Sequence, residues 1–102
     1  MGSINRTYIQ NTKAEIESLL HTSWDLVSKR NSEIENLSQK ALELANSIDS
    51  NNYRGLAIIE SALYECLVKN NYYQSIKLCT DGFNLMKGEF KKRYAAYYHL
   101  NL

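Results

Sequence analysis

Not one of the 102 residues is a proline, and only four are glycines. Sheet folds reverse direction about every ten residues and draw on both residue types to do it. A chain this poor in them has to run in long segments and turn by other means. That predicts an all-α fold.

Spacing and caps divide the chain into five helices. TKAE at Thr12–Glu15 reads as a capping box that opens the first, whose apolar stripe is Ile16, Leu19, Leu20, Trp24 and Val27. Lys29 and Arg30 suit its negative end. SEIE at Ser32–Glu35 opens the second, with Ile34, Leu37, Ala41, Leu44, Ala45 and Ile48 on one face. Asp49-Ser50-Asn51-Asn52 breaks that pattern, because such side chains bond their own backbone. A third helix is expected from Tyr53 to Lys69, with Ile59, Ala62, Leu63 and Cys66 inward, and Asn70-Asn71 as the turn. A fourth is expected from Tyr72 to Lys87, with Ile76, Cys79, Phe83 and Met86 inward. Gly88 can take the left-handed conformation that closes it, and a fifth helix follows from Glu89 or Phe90. The linkers are short, which forces antiparallel neighbours. Residues 1–10 are expected to be flexible and residues 11–102 to form one domain.

The bulk properties narrow the function classes. A net charge of +1 supplies no field that steers the chain toward nucleic acid or anionic lipid. No stretch approaches the roughly 18 apolar residues of a membrane span, and MGSINRTYIQ lacks a signal-peptide core, so a cytoplasmic location is expected. Cys66 and Cys79 lie on apolar helical stripes and read as reduced, buried thiols. They form no CxxC and no Cys/His cluster, so neither a metal nor a cofactor is expected. His21 and His99 have no nucleophile close in sequence, and Glu15/Glu17 and Glu33/Glu35 are explained as first-turn acids. The segment is therefore expected not to be an enzyme.

The chain also resembles itself. Ala41-Leu42-x-Leu44 can be laid over Gly82-Phe83-x-Leu85, and Arg54-Gly55-Leu56-Ala57 over Arg93-Tyr94-Ala95-Ala96. The period is about 40 residues, in the range of helical-pair repeats. Small residues recur where one helix must approach its neighbour closely.

Gly55 to Lys87 resembles a tetratricopeptide repeat. Asn70-Asn71-Tyr72 stands where that family has Gly-Asp-Tyr, Ser75-Ile76 where it has Ala-Ile, and Gly82-Phe83-Asn84-Leu85 where it has Ala-Leu-x-Leu. The chain departs from the pattern at Leu63, where Gly or Ala is usual, and at Cys66, where Tyr is usual. It has no proline after the second helix, and its period exceeds the usual length of about 34 residues. The rhythm of Leu44-Ala45, Asp49 and Gly55-Leu56-Ala57 is similar to degenerate repeats in regulatory regions of bacterial signalling proteins, N-terminal to diguanylate cyclase or histidine kinase modules.

The resemblance implies antiparallel helical hairpins stacked as a short right-handed superhelix. It implies a groove, lined by the first helix of each pair, that binds a protein or peptide segment. Ala57, Glu60, Tyr64, Arg93, Ala96 and Tyr97 are the expected groove residues. The fifth helix would open a third repeat, so the chain is expected to be an N-terminal fragment of a longer protein. Phe90, Tyr94, Tyr98 and Leu102 would then form a face covered by self-association, giving a homodimer. The alternative function is nucleic-acid binding by a small helical bundle through Phe90–His99, where basic residues interleave with aromatic ones. Tyrosines at helical spacing are more often core or protein interface, which favours the first reading.

Overall fold

The computed structural model describes the backbone of residues 6–27 and 33–99, and side chains over residues 6–26 and 33–94. Among the described residues five helices follow one another: α1 (Arg6–Val27), α2 (Glu33–Ser47), α3 (Asn51–Leu67), α4 (Tyr72–Leu85) and α5 (Gly88–His99). The all-α expectation holds, and among the described residues there is no strand.

Each of the first four helices runs antiparallel to the next. The Tyr8 hydroxyl at the start of α1 reaches Ser47 at the end of α2 (3.2 Å). Tyr64 near the end of α3 lies against Glu35 at the start of α2. The Ser75 hydroxyl at the start of α4 donates to the Ala62 carbonyl in α3 (2.8 Å). α1 and α3 consequently run parallel, and α3 packs against all four other helices.

The core is one apolar cluster built mainly on α3. Tyr53, Leu56, Ala57, Ile59, Ala62 and Leu63 meet Ile16 and Leu20 of α1, Ala41 and Ala45 of α2, and Cys79 of α4. Truncating a fully enclosed side chain such as Ile16 or Leu63 is worth about 2–5 kcal/mol. α3 and α4 approach so closely that Gly55 and Gly82 face each other backbone to backbone.

The turns are made by polar side chains and by residues that tolerate positive φ. Ser50 caps α3 by accepting the Tyr53 N–H, and Asn71 caps α4 by accepting the Gln74 N–H. Asp49 (φ 52°) and Asn70 (φ 57°) take the left-handed conformation that Asp and Asn enter more readily than other side chains.

Several expectations are corrected. α1 begins at Arg6, so residues 6–10 are helical rather than a flexible tail. Thr12 is buried within the helix and caps nothing, because Ile9, a turn before it, already packs on the core. The proposed end of α1 at Lys29-Arg30 lies outside the described residues. α3 starts two residues earlier than expected, at the Ser50 cap.

α4 stops at Leu85. Met86 turns extended (φ −83°, ψ 149°) and buries its side chain, while the Lys87 N–H donates to the Asn52 side chain (2.9 Å). Gly88 is left-handed (φ 63°) as expected, but it opens α5. Ile76, expected inward, is 69% exposed, because α4 turns Ser75, Cys79 and Gly82 toward α3 instead.

Several long-range hydrogen bonds span similar stretches of the chain. Glu17 meets Tyr53 across 36 residues, Ser23 meets Glu60 across 37, and Asn52 meets Lys87 across 35. Ser38 and Ser75 lie 37 residues apart, as do Ala45 and Gly82, and all four are buried.

Candidate interaction groove

The parallel run of α1 beside α3, with α5 laid across the start of α3, leaves a groove of about 450 Å³. α1 contributes Glu17, Ser18, Leu20, His21 and Trp24, α3 contributes Leu56 and Glu60, and α5 contributes Tyr94. Glu17, His21 and Trp24 follow one another at four and three positions, with Leu20 and Ser18 beside them, so one helix face supplies the α1 side of the groove.

Two polar pairs tie α1 to α3 along this groove. The Tyr53 hydroxyl donates to Glu17 (2.7 Å), and the Ser23 hydroxyl donates to Glu60 (3.1 Å). Glu60 is 2% exposed, an unusual place for a carboxylate, and the Ser23 bond offsets part of its desolvation. The Tyr53 phenol is pushed well above its ordinary value, first by burial and then by the Glu17 carboxylate that accepts its hydrogen bond. Burial raises the Tyr94 phenol as well. Both phenols therefore stay neutral and keep their donor protons across the physiological range.

An aromatic ladder continues onto α5. Phe90 meets the Tyr53 ring edge-on at 5.0 Å, and Tyr94 follows Phe90 at 4.8 Å. Lys13 lies 5.9 Å above the Tyr53 ring and Arg93 5.4 Å from the Tyr94 ring. The groove thus combines apolar and aromatic walls with carboxylate acceptors. Among the described residues no three His, Cys, Asp or Glu side chains gather to hold a metal, and no helix is long and apolar enough to cross a membrane.

The expected groove residues divide. Glu60 lines the groove. Ala57 is fully enclosed in the core and presents nothing to a ligand. Tyr64 is half-buried on the α2 side, where burial and then the Glu35 carboxylate raise its phenol. Arg93 is exposed beside Tyr94 at the rim. Ala96 and Tyr97 belong to α5, but their side chains lie outside the described residues.

Of the expected self-association face, Phe90 and Tyr94 are half-buried on the chain's own core. The Tyr98 side chain and all of Leu102 are outside the described residues. In the basic-aromatic run, Lys92 sits 3.4 Å from Glu89, and the rings of Phe90 and Tyr94 are already engaged.

The α1 wall was missed by sequence reasoning. Its signal was present: Leu20 and Trp24 lie one turn apart, and Glu17 and His21 share their side of the helix.

No protein-family model, curated protein or solved structure matches this chain.

Proposed function

We propose that this chain is a non-catalytic protein-interaction module built like a tetratricopeptide array, and that the groove between α1, α3 and α5 receives a polypeptide segment of a partner. The groove carries this reading: α1 and α3 stand side by side and, with Tyr94 of α5, line one continuous surface. Two details support the tetratricopeptide comparison. Hydrogen bonds from α1 to α3, and from α3 to the residue before α5, span 35 to 37 residues, close to that family's length of about 34. Asn70 is left-handed and Asn71 caps the next helix, where the family places Gly and Asp. A regulatory role in a cytoplasmic bacterial signalling protein, acting as a homodimer, is the wider setting that the repeat rhythm suggests.

Panning a library of random 12-residue peptides against the chain tests the reading. Ser18 is exposed on the groove wall, so Ser18→Arg fills the groove without disturbing the core. Peptides that bind the parent chain and lose at least about tenfold in affinity for Ser18→Arg are the expected result. A library that yields no binder, or binders indifferent to Ser18→Arg, would overturn the reading.

A further inference from the structure

We infer that α4 carries an isologous dimerisation surface, on which a second copy of this chain packs antiparallel across Tyr73 and Ile76. The surface lies outside the groove described above and goes beyond the proposed function by giving self-association a place in the fold.

Three of the large apolar side chains left exposed lie together here: Tyr72 (61%), Tyr73 (82%) and Ile76 (69%). Beside them runs a shallow cavity of about 470 Å³, lined by Cys66 of α3 and by Tyr72, Ser75, Ile76, Cys79, Thr80 and Phe83 of α4. The first hairpin shows what such a face accepts. α1 and α2 are covered by α3, a helix. α5 engages α3 near Tyr53 and leaves this stretch of α4 open.

A two-fold interface must offer projection and recess on one patch, because each copy uses the same residues. Here the projection is Tyr73 with Ile76, and the recess is the cavity ending at Phe83. When two α4 helices cross antiparallel between Ile76 and Thr80, Tyr73 of each copy enters the Phe83 end of the other's cavity.

The charges agree with the same operation. Lys77 and Asp81 are exposed, one turn apart, and neither is in an ion pair among the described residues. An antiparallel crossing sets Lys77 of one copy against the partner's Asp81, twice per dimer. A parallel crossing would set like charges together.

Sedimentation equilibrium from about 10 µM to about 1 mM tests the proposal. The parent chain should show a reversible monomer–dimer equilibrium. Ile76→Glu should weaken it at least about tenfold with unchanged circular dichroism, since the side chain stands in solvent in the single chain. Lys77→Asp should weaken it by about tenfold, and the Lys77→Asp/Asp81→Lys double variant should recover to within about threefold of the parent. Peptide binding in the other groove should survive Ile76→Glu, which separates this proposal from the previous one. A parent chain that stays monomeric, leaving the face to a different protein, overturns the proposal. So does a dimer indifferent to Ile76→Glu, or a charge swap that fails to restore association.

Discussion

Gly55 on α3 and Gly82 on α4 cross with no space for a side chain on either. A β-carbon on Gly82 would stand 2.7 Å from the Gly55 carbonyl oxygen and 2.6 Å from Cγ1 of Ile59, and one on Gly55 would overlap the Gly82 carbonyl oxygen. The obstructing atoms include backbone, which cannot rotate aside.

Gly82→Ala therefore has two opposed effects. Helix propensity alone favours alanine by about 1 kcal/mol. Overpacking at a fixed crossing costs about 1–3 kcal/mol, and the backbone clash places this site at the upper end. The expected net result is a loss of about 2 kcal/mol in urea denaturation. A gain in stability would mean that α3 and α4 separate freely.

Tyr53 links stability to alkaline pH. Its folded pKa is raised above the unfolded value of about 10, first by burial and then by Glu17. A neutral phenol is thus favoured in the folded chain. The contribution is complete below about pH 10 and is lost as pH rises through the folded value. Urea midpoints measured between about pH 9 and pH 11 should fall more steeply for the parent than for Tyr53→Phe. The variant should be less stable by about 1 kcal/mol at neutral pH, having lost the bond to Glu17.

Asn70 holds φ 57° at the turn between α3 and α4. Asn70→Ala should destabilise by about 1 kcal/mol, because a β-carbon without a local polar partner disfavours this conformation. Asn70→Gly should be neutral or mildly stabilising in the same thermal melts. Equal losses in both variants would show that the side chain, not the backbone angle, matters.

The two thiols should react unequally. Both are free; Cys66 is half-buried and Cys79 buried. Burial, and to a lesser degree the neighbouring Cys66, raises the Cys79 thiol. Ellman's reagent at about pH 8 should modify Cys66 in a fast phase and Cys79 in a slower one. In Cys66→Ser the fast phase should vanish.

The sequence made helix type, number and order readable because five apolar stripes of period 3.6 are separated by polar turn residues. It also showed that small residues mark a close helix crossing, which Gly55 and Gly82 make. What it concealed depended on partners distant in the chain. TKAE looks like a helix start until Ile9 finds the core. Ile76 looks like core until Ser75 bonds Ala62 and sets the rotation of α4. The groove required knowing that α1 and α3 are parallel, and no local pattern around Glu17 or Trp24 states that.

The central position of α3 bears on how this chain unfolds. Tandem helical pairs ordinarily melt in part, since each unit depends only on its immediate neighbours. Here a single helix supplies a shared interface to the other four, so neither hairpin retains its buried face once α3 is released. Denaturation should be all-or-none, with amide hydrogens around Ile59 and Leu63 exchanging only through global opening.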